Sequence, residues 1–427
     1  MITARAFAGK RYAVYGLARS GRATVEALLA SGAEVVAWDE KPEAREALTA
    51  HDALSFADPL TLDLTGFAGV VVSPGVPINK HPIAPHARKH GVPLIGDIEL
   101  FALARPELPP HKVVGITGTN GKSTTTALVH HILKTAGVPT TMGGNIGLPI
   151  LAQDPLPKGG VYVLELSSYQ IDLTYSLDCD VAVLLNITPD HLDRYEGLGA
   201  YADAKARLFA MQSPRRTIVL DNETDAVFGS AEFANDPLIA FYDLESFDGE
   251  LGPALQGSHN RANALAAIAA CRDLGVADES IHNGLLTYPG LPHRMEQIRE
   301  RVGVLFVNDS KATNPDSAAP ALAAYPDIHW ILGGLAKTDS LGPCEPHLDH
   351  VRGAYTIGES GPMFARLLRG RVPVTEAQVL EQAVTAAASA AKAGEVVLLS
   401  PACASFDQFK DFEARGEAFR AAVEALP

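Results

Sequence analysis

Gly115-Ile116-Thr117-Gly118-Thr119-Asn120-Gly121-Lys122-Ser123 ends an apolar run, 112-KVVGIT-117, and opens a helix-period stretch, Thr124–Ala136. A strand, a glycine-rich turn and a helix in that order make a phosphate cradle. Successive backbone N–H groups and the helix N-terminus face the anion. Lys122 adds positive charge at the β- and γ-phosphates, and Ser123 offers a hydroxyl to Mg²⁺. The spacing departs from the common G-x-x-x-x-G-K-[ST] pattern: Ile116 stands six before Lys122, and the nearer glycine, Gly118, stands four before it. Gly118, Thr119, Asn120, Gly121, Lys122, Ser123 and Thr124 are expected to line an ATP site.

Outward from this loop the pattern is α/β. The runs 161-VYVLEL-166 and 181-VAVLLNI-187 are almost continuously apolar, as buried parallel strands are. The Ala-rich 260-NRANALAAIAACRDLG-275 reads as a helix stopped by a glycine. Towards the N-terminus, strands are expected at Tyr12–Tyr15, Glu34–Trp38 and Val70–Val72, with a helix over Gly21–Ala30. Beyond 288-YPGLPHR-294, strands are expected at Val304–Val307, His329–Leu332, Ala354–Ile357 and Val396–Leu399, and a helix over 376–393. A chain of 427 residues and 45.1 kDa suits about three domains. The breaks fall at 1–96, 97–292 and 293–427.

Composition removes several function classes. Hydrophobic residues at 47% and charged residues at 20% describe a soluble globular chain, not a disordered or collagen-like one. No apolar run approaches the ~18 residues of a membrane span. The first residues, MITARAFAGKRYAVYG, lack an apolar signal core. Cys179, Cys271, Cys344 and Cys403 are scattered without metal-site or disulfide spacing. A reduced cytoplasmic protein, away from membranes, is expected. With 35 basic and 50 acidic residues the net charge is −15, which argues against nucleic-acid partners. Local cations and helix N-termini can still hold an acidic small molecule.

Further candidates cluster just past strands. Gly16-Leu17-Ala18-Arg19-Ser20-Gly21 follows the first strand and Asp39 ends the second, like a dinucleotide turn with Ala18 at the middle glycine. Alanine there restricts backbone approach to a pyrophosphate, so a nucleotide other than NAD is favoured. Glu165 ends one apolar strand, and Asp190 and His191 lie past another. With Ser123 they form a candidate Mg²⁺ set. Lys205 reads as a solvated helix lysine. Arg294 suits a phosphate. The turns 309-DSKATN-314, Lys337 and 400-SPACAS-405 each follow a strand and suggest a ligand crevice.

These motifs resemble the Mur ligases. The strings are G-x-T-G-T-N-G-K-S, E-L-S-S-Y-Q, N-I-T-P-D-H-L-D-R-Y, Y-x-x-A-K-x-R and G-S-H-N-R-A-N-A-L-A-A. G-L-P-H-R, N-D-S-K-A-T-N and the tail S-P-A-C-A-S-F-D-Q-F-K-D-F-E-x-R-G resemble the glutamate-adding branch, and the likeness runs from the first glycine turn to the last helix. It implies a Rossmann-like UDP-substrate domain, a central P-loop ATPase domain with a parallel sheet, and a C-terminal Rossmann-like amino-acid domain. It implies an ATP- and Mg²⁺-dependent ligase of peptidoglycan precursor synthesis, acting as a monomer. D-Glutamate would be added to UDP-N-acetylmuramoyl-L-alanine through an acyl phosphate.

By the same resemblance, Lys122, Lys205 and His191 are catalytic, and Ser123, Glu165, His191 and carbamylated Lys205 hold the metal. A bare ammonium cannot ligate Mg²⁺, whereas a carbamate is an anionic oxygen donor. Asn260, Asn263, Arg294, Asp309 and Lys311 would face ATP. Thr313, Lys337, Ser405 and Phe412 would hold the glutamate carboxylates. Leu17, Ala18, Asp39, Ser73, Gly75 and Asn145 would line the UDP site. Two places depart from the family pattern. Glu40-Lys41 stands where many members have Thr-Arg, and 314-NPDSAAPAL-322 replaces N-x-G-S-T-x-x-A.

Other readings differ in what they predict. An L-glutamate-adding variant stays open, because stereochemistry is not legible in these motifs. Folylpolyglutamate synthases lack the N-terminal UDP domain, and the D-N-P-R string of the diamino-acid ligase is absent. A P-loop ATPase without ligase activity would hydrolyse ATP regardless of amino acid. An NAD oxidoreductase is disfavoured by Ala18 and by the central phosphate loop.

Overall fold

The computed structural model describes residues 1–190, 194–221, 224, 238–242, 249–255 and 257–426. It divides into two compact units: Met1–Glu250 with Asn260–Thr287, and Leu251–His259 with Tyr288–Pro427.

The first unit holds two all-parallel sheets. One contains β1 (Arg11–Tyr15), β2 (Glu34–Trp38), β3 (Leu54–Phe56), β4 (Gly69–Val72) and β5 (Leu94–Ile95), in the order β3-β2-β1-β4-β5. The other contains β6 (His111–Thr117), β7 (Thr140–Gly144), β8 (Gly160–Glu165), β9 (Val181–Leu184), β10 (Thr217–Asp221) and β11 (Leu238–Tyr242), in the order β11-β10-β9-β6-β8-β7. The central strands are buried along nearly their whole length. That is why they read as unbroken apolar runs rather than alternations. In each sheet the order turns back beside the first strand, β1 or β6. Such a switch point opens a crevice at the carboxyl ends of the strands.

The helix Asp97–Ala104 is buried at every position but Leu103 and joins the two cores. Phe101 meets Tyr162 edge-on at 5.1 Å, and one apolar cluster runs from Val14 and Leu17 to Val113 and Leu164. The Glu99 carboxylate accepts from the Tyr175 and Ser176 N–H groups and from the Ser176 hydroxyl at 2.6, 2.9 and 2.7 Å. An acid inside an apolar helix is thus satisfied by the neighbouring sheet's connection.

The second unit is a mixed sheet of β12 (Glu296–Arg301), β13 (Val304–Asn308), β14 (Ile328–Gly333), β15 (Val351–Ile357), β16 (Val374–Gln378) and β17 (Val396–Leu399). Its order is β12-β13-β17-β14-β15-β16, with only β12 antiparallel. The edge strands β12 and β16 were not anticipated, because EQIRER and VTEAQ carry charge suited to exposed edges. The helix expected over 376–393 spans only Leu380–Ala390, since Val374–Gln378 pairs with β15. The departure at 314–322 still forms a helix, Pro315–Ala323, with Pro320 inside it. The Asn314 side chain caps it from Ser317 N–H at 2.8 Å, and Pro315 sits where no N–H is needed.

Candidate active site

The first glycine turn is tightly built. A Cβ on Gly21 would lie 1.9 Å from the Gly16 carbonyl oxygen, and one on Gly16 would lie 2.8 Å from the Ser73 Cβ. Only glycines bring the helix Arg19–Ala30 and the Ser73 turn this close to β1. Gly21→Ala is therefore expected to lower stability by about 1–3 kcal/mol, read from the denaturant midpoint. Asp39 accepts from the Leu17 N–H at 2.7 Å and from the Lys41 N–H at 2.9 Å. The Leu17 side chain is buried, so this residue offers a ligand only its backbone. Ala18 begins the helix with extended backbone. Near the Glu40-Lys41 departure, Arg45 lays its guanidinium 4.3 Å from the Trp38 ring centroid and donates to the Asp39 carbonyl. Ser73 binds back to β1 through its N–H on the Tyr15 carbonyl, and Gly75 follows in the same turn.

The phosphate loop joins β6 to a helix, Lys122–Thr135, that starts two residues earlier than the periodicity predicts. Lys122, Ser123 and Thr124 thus form its first turn, where N–H groups have no intrahelical partner. Gly121 caps it with φ +83°, and a Cβ there would lie 2.2 Å from the Asn263 Oδ1. Asn186 grips Asn120 both ways: its Oδ1 accepts from the Asn120 N–H at 2.9 Å and its amide donates to the Asn120 carbonyl at 3.1 Å. The Thr119 hydroxyl donates to the Thr188 carbonyl and accepts from the Thr188 N–H at 3.2 and 3.0 Å. Behind the loop, Asn263 accepts from Thr125 and donates to Asn260 at 3.3 Å each.

Two ammonium groups meet on one oxygen. Lys122 and Lys205 each place Nζ 2.8 Å from the Gly118 carbonyl, and Lys122 also donates to the Thr119 carbonyl at 2.7 Å. Lys205 is 1% exposed, with Nζ 4.5 Å from the Tyr201 ring centroid. Burial first, and the nearby Lys122 charge second, push its pKa down to about 6. The solvated-lysine reading is overturned: the helix Leu198–Ala210 turns Lys205 inward beneath the phosphate loop. A mostly neutral amine at pH 7 is the nucleophilic form.

Glu165, 2% exposed at the end of β8, has divided oxygens. Its Oε1 accepts from the Asn145 amide at 2.9 Å, while its buried Oε2 has no hydrogen-bond partner among the described residues. An orphaned carboxylate oxygen at the sheet's carboxyl edge is what a cation ligand looks like without its cation. Asn145, expected at the UDP site, is thereby tied to the metal candidate. Asp190 is exposed just past β9, and His191 lies outside the described residues. Among the described residues no group of three or more His, Cys, Asp or Glu side chains forms a ready-made metal cluster.

In the second unit, Arg294, Asp309, Lys311, Thr313, Lys337 and Ser405 sit on connections around the sheet, and Phe412 opens the last helix, Phe412–Glu424. Asp309 is buried after β13 and accepts from the Ser400 hydroxyl at 2.7 Å. Burial raises its pKa to about 7 despite that bond. Stability from a raised carboxyl is full below about pH 4 and is lost as pH climbs through 7. Asp309→Asn is therefore expected to remove a stability decline between pH 4 and 7, measured by denaturant unfolding. Lys311 places Nζ 4.0 Å from the Phe412 ring centroid. Ser405 is buried, and Lys337 is exposed past β14.

Sequence reasoning passed over Arg415. This buried guanidinium donates to the Ser310 hydroxyl and carbonyl at 3.0 and 2.7 Å and to the Cys403 carbonyl at 3.0 Å. It ties the turn after β13 to the turn after β17. The tail motif contains it, but nothing in the spacing marks it as buried. Cys403 itself is buried, and its thiol is pushed up to about 12, which argues against a nucleophile.

A profile of the Mur ligase middle domain matches residues 116–248, and one of the Mur ligase glutamate ligase domain matches residues 293–403. The UDP-N-acetylmuramoylalanine–D-glutamate ligase of Novosphingobium aromaticivorans is 62% identical, over 100% of this chain and 97% of its own. The chain belongs to the Mur ligase family. A second relative of that name, from Sphingopyxis alaskensis, is 60% identical over the full length of both chains. Among solved structures, the MurF ligase from Thermotoga maritima, in complex with ADP, superposes with a TM-score of 0.60. It covers 97% of this Mur ligase and 98% of its own chain at 17% identity, a likeness of fold. Among the described residues no helix is long and apolar enough to cross a membrane.

Proposed function

We propose that this chain joins the amine of D-glutamate to the alanyl carboxylate of UDP-N-acetylmuramoyl-L-alanine, with ATP cleaved to ADP and phosphate. The observation that carries the reading is full-length 62% identity to a D-glutamate ligase. The phosphate loop over Lys205 supplies a matching chemistry. The enzyme works as a cytoplasmic monomer on small molecules. Residues 1–96 bind the UDP substrate, 97–292 the ATP and 293–427 the amino acid.

A free carboxylate is a poor acyl donor, so the first step makes it a better one. One carboxylate oxygen attacks the γ-phosphorus, and the bond to the ADP oxygen breaks. The glutamate amine then attacks the carbonyl carbon. The C–N bond forms, phosphate leaves with its oxygen, and the amine gives up a proton. Gly121, Lys122 and Ser123 hold the nucleotide phosphates, and Lys122 swings from the Gly118 carbonyl to the transferring group. That charge stabilises the transition state. Asn120, locked by Asn186, keeps the loop from reorganising during transfer.

Mg²⁺, when bound, offsets negative charge on the phosphates. Ser123, Glu165 through its orphaned Oε2, His191 and Lys205 would hold it. Lys205 fits only as a carbamate, and its lowered pKa favours the neutral amine that captures CO₂. Arg294, Asp309 and Lys311 are assigned to ATP, and Thr313, Lys337, Ser405 and Phe412 to the glutamate carboxylates.

Phosphate release, measured with ATP and UDP-N-acetylmuramoyl-L-alanine, tests the reading. It is expected to need D-glutamate. Preference for L-glutamate would move the chain to a sister activity, and release indifferent to amino acid would refute ligation.

A further inference from the structure

A cavity of about 630 Å³ opens on the flank of the first unit, beside the edge strand β5. One wall is the helix Ile83–Lys89 with the segment leading into β5, and the other carries Asp172, Tyr175 and Arg194. The Tyr175 hydroxyl donates to the Leu94 carbonyl at 3.1 Å, so the two walls are joined. The substrate crevice lies at the carboxyl ends of the strands. This cavity reaches the amino end of β5, at Pro93 and Leu94, while its Arg194 side runs to the Pro74 carbonyl in the turn after β4.

Arg194 is built unlike an ordinary surface arginine. Its guanidinium lies 3.6 Å from the Tyr169 ring centroid, and its Nη1 reaches the Pro74 carbonyl only at 3.4 Å. Its Nε and Nη2 are buried and have no hydrogen-bond partner among the described residues. Those two donors share one edge of the planar group. That edge is the fork that grips both oxygens of a carboxylate. A buried donor without an acceptor is costly, and native structures rarely leave two on one group. The carbonyl of Arg194 accepts from the Asn79 amide at 3.1 Å, so the residue's backbone is held while its fork stays unused.

We propose that this cavity is a second binding site, for a small monocarboxylate with an apolar body, and that Arg194 is its anion-binding group. Ala84, Ala87, Val92, Leu94 and the Tyr175 ring give the apolar body a surface. Asp172 decides between anions. It lines the same cavity, and its carboxylate accepts from the Tyr195 hydroxyl at 2.8 Å. With Arg194 and Arg88, which lines the cavity too, the charged lining sums to one net positive charge, which a monoanion balances and a phosphate dianion exceeds. The ligand reaches the fork when the guanidinium pivots on the Tyr169 face, which breaks only the long Pro74 contact.

Indole-3-acetate and its neutral analogue indole-3-acetamide, titrated into the full chain and followed by saturation-transfer NMR, test the site. The acid is expected to bind at least tenfold more tightly than the amide. Arg194→Met is expected to erase that difference, and Arg194→Lys, which keeps charge but loses the fork, to remove most of it. Ala84→Phe, which narrows the cavity, is expected to weaken both probes even if the Arg194 variants do not fold. UMP is expected to leave both probes bound. Failure of the acid to bind, equal binding of acid and amide, unchanged binding in folded Arg194→Met, or displacement by UMP would each overturn the proposal.

Discussion

Lys205→Ala is expected to lose about 10³-fold or more in turnover, on the scale of removing a charge-stabilising group from a transfer site. The loss is not one of folding alone. Among the described residues, the amine's one hydrogen bond is to the Gly118 carbonyl, which Lys122 also holds. The geometry sets two ammonium groups against each other, and burial drives Lys205 to its neutral form. A neutral amine gains little from that carbonyl but is ready to react with CO₂. A short carboxylate such as acetate, occupying the vacated space, is expected to restore part of the activity, because it replaces the anionic oxygens of a carbamate. The check is turnover of Lys205→Ala against acetate concentration. Full activity without any additive would remove Lys205 from the mechanism.

Lys122→Ala is expected to be as severe, at about 10³-fold or more, and to resist rescue by carboxylates. Lys122 is the first helical residue after Gly121, so its Cα is fixed by the cap while its side chain folds back on two loop carbonyls. That arrangement holds the positive charge at the phosphate site before ATP arrives. Removing it also removes the second cause of the lowered Lys205 pKa, so Lys205 in this variant is expected to hold its proton to higher pH. Single-turnover phosphate release with saturating substrates separates the two variants. Acetate rescues only Lys205→Ala.

Much of this was legible in the sequence, for a physical reason. Buried parallel strands are apolar on both faces, so β1, β6, β8 and β9 announced themselves as runs, and the turns after them carried the polar residues. The edge strands did not, because EQIRER and VTEAQ obey solvent rather than a core. Lys205 was misread from its own residues for the opposite reason: Y-A-D-A-K-A-R on a helix looks solvated, and only the packing beneath Gly118 shows it buried. Asp39, expected at the UDP site, spends two bonds on its own turn. Asn186 acts through the backbone of Asn120, and Arg415 through two carbonyls and the Ser310 hydroxyl, groups brought together by the fold that no spacing rule can see.

In the proposed mechanism the substrate carboxylate is phosphorylated before the amide forms. That order is tested most directly with UDP-N-acetylmuramoyl-L-alanine labelled with ¹⁸O in both alanyl carboxylate oxygens, turned over with ATP and D-glutamate. One ¹⁸O is expected in each phosphate released, because the attacking oxygen leaves with phosphorus, and one is expected to stay in the new amide. Phosphate free of label, with ADP still formed, would contradict that order.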